Sequence, residues 1–98
     1  MATLQTVIIS MLSKELYICR VCGFPQEDLP WGENGHTPSF NICDCCGTEF
    51  GYHDATIQAI KKSRESWLNQ GAKWFESKSK PKNWVLKEQL RQIPVPFQ

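Results

Sequence analysis

The sequence predicts a small α+β domain: a ribbon of short strands, two C-terminal helices packed on it, and a short helix at the N-terminal end. Three observations predict it. Two Cys-x-x-Cys-Gly units lie twenty residues apart, at 19–23 and 43–47. Short apolar runs, Leu16-Tyr17-Ile18 and Ser39-Phe40-Asn41-Ile42, lead into each unit. Beyond residue 55 the apolar residues change to helical spacing.

The elements follow in chain order. Leu4, Val7, Ile8, Met11 and Leu12 recur at helical spacing, with Leu16 a turn further on, although Val7-Ile8-Ile9 suits a strand equally well. Residues 15–54 hold all five cysteines and five of the six glycines, the composition of turns and short strands rather than helix. Each apolar run is expected to be a strand ending in a turn at its cysteine pair. Asp54 is placed to cap a helix carrying Ile57, Ile60, Trp67 and Leu68 on its apolar face, with Gly71 as the stop. A second helix is expected from a cap at Asn83, carrying Leu86, Leu90 and Ile93 and ending at Pro94. Trp67, Trp74, Trp84 and Phe75 would glue these helices to the ribbon, because each aromatic buries a large area. With 98 residues the whole chain, 1–98, reads as one domain, with the ribbon over 15–54 and a helical extension over 55–98. A core of that size only just offsets chain entropy, so a cross-link inside it matters.

The cysteines supply one. Two C-x-x-C pairs on facing turns offer four thiolates, Cys19, Cys22, Cys43 and Cys46, which suits the four tetrahedral positions of Zn2+. The glycine after each pair can take φ > 0, which lets the backbone wrap round a metal with its amides toward the sulfurs. The expectation is therefore a zinc ribbon with one Zn2+ per chain. Iron is the rival, since a four-thiolate site also suits a single iron atom and the turns resemble those of rubredoxins. An odd cysteine count fits poorly with a fully disulfide-paired framework, and a thioredoxin-like redox motif needs a βαβ pattern that is missing around either pair. Cys45 is left outside the set, and with four sulfurs placed neither His36 nor His53 is required.

Charge divides the chain. Residues 15–54 carry seven carboxylates and one basic residue, Arg20, whereas residues 55–98 carry nine basic and three acidic residues. Four metal-bound thiolates would add about two negative charges to the acidic half. The near-neutral total of +1 is no argument for nucleic acid. No secretory leader or membrane span is recognisable, so a cytoplasmic protein is expected, where thiols stay reduced. No nucleophile–base arrangement, nucleotide-binding glycine loop or open metal position points to an enzyme or a small-molecule substrate.

The segments Y-I-C-R-V-C-G-F and P-S-F-N-I-C-D-C-C-G-T-E-F-G-Y-H-D resemble the small bacterial cysteine-rich proteins of CPCC type. The likeness covers residues 15–54, with Cys43-Asp44-Cys45-Cys46 standing where the signature has Cys-Pro-Cys-Cys. The resemblance implies a compact zinc ribbon with helical decoration and, by association, a toxin-immunity role.

A protein partner, with a toxin as the candidate, is thus the expectation. Its docking edge would be the loop between the cysteine pairs, where Glu27, Asp28 and Glu33 accompany Trp31. Trp31 has two readings, an exposed anchor or a cover for the metal turns. The alternative is nucleic acid bound by Lys61, Lys62, Lys78, Lys80 and Lys82.

Overall fold

The computed structural model describes residues 14–98. The expected N-terminal helix through Leu4 and Leu12 lies outside that range.

The expected β-ribbon is not what forms: among the described residues there is no β-strand. Each cysteine pair instead makes a tight knuckle, and the two knuckles are one structure built twice. In the first, Cys19 N donates to Phe24 O (3.0 Å), Gly23 N to Cys19 O (2.9 Å) and Gln26 N to Tyr17 O (2.8 Å). In the second, Cys43 N donates to Thr48 O (2.9 Å), Gly47 N to Cys43 O (2.9 Å) and Phe50 N to Asn41 O (3.0 Å). Each knuckle closes on a single antiparallel bridge, Ile18 with Pro25 and Ile42 with Glu49. The common sequence is Ile-Cys-x-x-Cys-Gly, and Gly23 and Gly47 sit at φ +87° and +78°, where a side chain would be strained.

The bridges do not grow into strands for local reasons. Tyr17 is held in a turn by its bond to Lys14 O (3.2 Å), and Pro25 has no amide with which to extend a ladder. Phe40 sits at φ +61°, so 39–42 cannot run extended.

Helix α1 spans Ile57–Asn69 and helix α2 spans Leu86–Leu90. Thr56, not Asp54, caps α1, its side chain accepting from Ala59 N at 3.0 Å. The helix ends as expected near Gly71, which takes φ +92° and bonds back to Leu68 O. Its inward face is Ile60, Arg64 and Trp67; Ile60 and Trp67 are buried, whereas Ile57 and Leu68 are on the exposed side at 48% and 37%. Helix α2 is shorter than expected. It starts after Val85 without a side-chain cap, and Ile93 is buried beyond its end.

The core lies where helices and knuckles meet. Val21, Phe50, Ile60 and Trp67 surround the cysteines, and Trp74 packs edge-on against both Phe24 (4.9 Å) and Trp84 (5.6 Å). Phe75, expected in this glue, is 64% exposed. Two polar side chains tie the first knuckle to the helices. Arg64 donates to Val21 O (2.7 Å), Arg20 O (2.9 Å) and Phe97 O. Gln89, buried, donates to Cys22 O (3.0 Å) and accepts from Trp84 Nε1 (2.7 Å). The fit is close: a Cβ on Gly23 would lie 2.2 Å from Gln89 O, while one on Gly47 would meet only the Phe75 ring at 3.1 Å.

Truncating Trp67 to alanine should cost about 3–5 kcal/mol. Arg64→Ala should cost about 3 kcal/mol, because it strips partners from partly buried carbonyls, and lysine, lacking the forked donor set, should not restore the loss. Leu68→Ala, on the outer face, should stay below about 1 kcal/mol. Urea unfolding midpoints check the ranking; a Leu68 loss equal to that of Trp67 would mean that α1 buries the other face.

Candidate metal centre

The knuckles bring four thiols together. The Sγ atoms of Cys19, Cys22, Cys43 and Cys46 all lie within 4.8 Å of one another. The shortest contacts join one knuckle to the other, Cys19 to Cys46 at 3.7 Å and Cys22 to Cys43 at 3.6 Å. A tetrahedron of sulfurs about 2.3 Å from a central ion has edges of about 3.8 Å. The spacing therefore fits a single ion held by all four, and the residues are the four that the spacing of the pairs singles out.

Burial sharpens the case. Cys19, Cys22 and Cys43 are fully buried, and Cys46 is partly exposed. Burial pushes the Cys19 and Cys22 thiols up, well above the usual range. Cys43 is driven far the other way, because Cys19, Cys22 and Cys46 direct hydrogen bonds at its sulfur. Without a metal, Cys19 and Cys22 are therefore held toward the protonated thiol while Cys43 is drawn toward the thiolate. A divalent cation resolves this by replacing protons, after which every sulfur can be a thiolate.

Supporting bonds surround the sulfurs. Gln26 Nε2 donates to Cys43 Sγ at 3.3 Å, and Thr48 Oγ1 lies 3.0 Å from Cys46 Sγ. Neither contact was foreseen in the sequence, nor was Arg64 or Gln89; a glutamine or threonine near a cysteine carries no spacing signature. Cys45 is fully buried, at the position that Val21 holds in the first knuckle, and takes a bond from Gln89 Nε2 at 3.3 Å. It stands outside the cluster. His36 and His53 do too: both are exposed, and His53 Nδ1 accepts from Glu49 N at 3.0 Å.

The loop between the pairs is pinned from within. Trp31 is turned inward, its Nε1 donating to Asp54 Oδ2 at 2.8 Å and its ring facing the Arg20 guanidinium at 4.6 Å. Phe97 covers that guanidinium at 4.3 Å, and Arg20 donates to Gly35 O at 3.0 Å. Asp54, fully buried, also accepts from Gly51 N at 2.7 Å, which is why it is not free to cap α1. Glu27, Asp28 and Glu33 are exposed on the loop. Glu27 and Asp28, with Asp44, line a cleft of about 590 Å³ beside Phe24 and Gln26. The basic side chains Lys61, Lys62, Lys78, Lys80 and Lys82 are exposed too, Lys80 lying 5.2 Å from the Trp84 ring. Among the described residues no helix is long and apolar enough to cross a membrane.

No family model matches the chain, and no solved structure does. It is similar to two uncharacterized proteins of Bacillus subtilis strain 168. YoaQ is 33% identical over 75 residues, which cover 59% of this chain and 62% of that protein. YozI is 31% identical over 75 residues, covering 60% and 62% respectively. The chain spans about three-fifths of the length of the curated relatives it matches, and neither relative's name carries a function.

Proposed function

We propose that this chain is a non-enzymatic zinc-binding protein, in which one Zn2+ held by Cys19, Cys22, Cys43 and Cys46 fixes the fold and an acidic face docks on a basic protein partner. The observation that carries the metal reading is the set of four sulfurs at tetrahedral spacing, three of them fully buried. Zinc fits because all four positions are taken by protein thiolates, as in structural sites, and none is open for a substrate water. Iron would use the same ligands and would colour the protein.

Support for the partner comes from charge. Glu27, Asp28 and Asp44 edge a cleft whose floor is close to the Cys43 sulfur through Gln26. A tetrathiolate zinc centre carries about two negative charges, which add to those carboxylates. Such a face attracts a cationic surface and speeds encounter with it. The likeness to CPCC-type proteins adds a bacterial toxin as the candidate partner, with this chain as its immunity protein. A reducing, cytoplasmic setting suits four thiolates. Nucleic acid is the second reading, favoured by exposed Phe75 near Lys78 and by Lys80 over Trp84. Oligonucleotide binding that weakens steeply with salt would support it instead.

Native mass spectrometry should find one zinc per chain and no disulfide; a folded, metal-free chain would end the metal reading. Cys22→Ser should lose the metal and unfold the protein, since structural zinc contributes folding energy directly. Cys45→Ser should keep the metal and cost about 1 kcal/mol. The pH dependence has a definite sign. Cys19 and Cys22 hold their protons in the metal-free cluster, so zinc must displace at least two. Affinity should accordingly rise about 100-fold per pH unit while both remain protonated, and fall equally on acidification. A competition titration at two pH values measures the slope; a flat profile would exclude burial-protonated ligands. For the surface, Glu27→Lys with Asp28→Lys should abolish partner capture from the native host with zinc content unchanged. Undiminished capture would move attention to the lysine-rich half.

A further inference from the structure

The two knuckles are equivalent in backbone but not in cover. Cys22 of the first and Cys46 of the second occupy the same position, yet Cys22 is fully buried and Cys46 is not. Over the first knuckle, Gln89 bonds Cys22 O and its own carbonyl lies against Gly23, while Arg64 holds the carbonyls of Arg20 and Val21. The second knuckle is held by backbone instead, Phe75 N donating to Cys45 O (2.9 Å) and Glu76 N to Asp44 O (2.7 Å), and neither contact covers Cys46 completely. Cys46 instead borders an open groove of about 470 Å³ between the second knuckle and α1, lined by Tyr52 and His53 and by Lys62, Ser63 and Ser66. Hydroxyls, an ammonium and an imidazole line this groove, and it is wide enough for several waters at about 30 Å³ each. A small, polar, uncharged oxidant enters wherever water does.

We propose that Cys46 is a modification site of the metal centre, the thiolate at which a peroxide reacts, with Cys19 as the thiolate that resolves the product. The proposal rests on the metal reading above. The Cys46 thiolate attacks one peroxide oxygen; an S–O bond forms, the O–O bond breaks, and hydroxide leaves. Cys46 is then a sulfenic acid, and the sulfur has given up two electrons. The Cys19 thiolate, 3.7 Å away, attacks the Cys46 sulfur. An S–S bond forms, the S–O bond breaks, and a second hydroxide leaves. Two thiolates have become one disulfide, and one peroxide has become two hydroxides. Once joined, Cys19 and Cys46 would no longer ligate zinc, which Cys22 and Cys43 alone would hold far more weakly.

Access sets the order of events. Cys19 is fully buried and touches Cys46, so it can resolve but cannot react first. The pair Cys22 and Cys43, although 3.6 Å apart, is buried at both ends. A competing rule gives a different answer: if metal binding alone protected thiols, the unliganded Cys45 would oxidise first. Cys45 is fully buried. Redox-responsive cysteines combine accessibility with a neighbouring resolving thiol, and Cys46 has both.

The test uses the zinc-loaded chain, its loading checked by native mass spectrometry. It is treated with substoichiometric hydrogen peroxide in the presence of dimedone, with peptide mapping and a chromogenic chelator to follow zinc. The expected result is a dimedone adduct at Cys46 and, without dimedone, a Cys19–Cys46 disulfide with one zinc released per disulfide. Ser66→Trp, which narrows the groove without touching a ligand, should slow release about fivefold with zinc content unchanged, as expected where access governs thiol reactivity. Cys45→Ser should leave the rate unaltered. First oxidation at Cys45, a Cys22–Cys43 disulfide, or an unchanged rate in Ser66→Trp overturns the proposal while the zinc site stands. A chain that holds no metal before peroxide is added overturns the metal reading itself.

Discussion

Four sulfurs drawn from two turns twenty residues apart must meet within 4.8 Å, and the rest of the molecule is arranged around that meeting. The meeting is costly without a cation. Buried thiols resist ionisation, as at Cys19 and Cys22, and a cation offsets that cost by replacing their protons. Among the described residues four cysteines stand with the fully buried side chains, and the bulkiest of these are Phe50 and Ile60. In a domain this small a cross-link at the centre of the core contributes a large share of the stability.

Around the sulfurs, polar side chains do what a larger protein does with secondary structure. Tight knuckles leave carbonyls without ladder partners, and buried carbonyls must be satisfied. Arg64 answers for residues 20 and 21, and Gln89 for Cys22. Asp54 serves the other side, joining Trp31 to the Gly51 amide. These three residues connect the knuckles to α1, to α2 and to the intervening loop. The thiol cluster is thereby fastened to both α1 and α2.

The meeting of Cys19, Cys22, Cys43 and Cys46 was readable because C-x-x-C-G is a local pattern whose chemistry depends on spacing alone. Helix α1 was readable in extent, since Gly71 ends it and the apolar residues recur, but its inward face was not. Arg64 stands where a hydrophobic residue would have completed the stripe from Ile60 to Trp67, and its role depends on carbonyls more than forty positions away. The ribbon failed for a related reason. Alternating apolar residues before each cysteine suit a strand, but Phe40 at positive φ and Pro25 without an amide limit the pairing to single bridges. Asp54 looked like a helix cap because its true partner, Trp31, is brought near only by the fold.

The duplicated knuckle also bears on how such a chain can vary. Gly23 and Gly47 share a dihedral angle, but Gly23 is pressed against a backbone carbonyl and Gly47 against a ring that can swing aside into solvent. A backbone neighbour cannot yield without moving helix α2, whereas a side-chain neighbour can. The two halves therefore differ in tolerance: at Gly23 a larger residue must displace helix α2, whereas at Gly47 it need only turn an exposed ring.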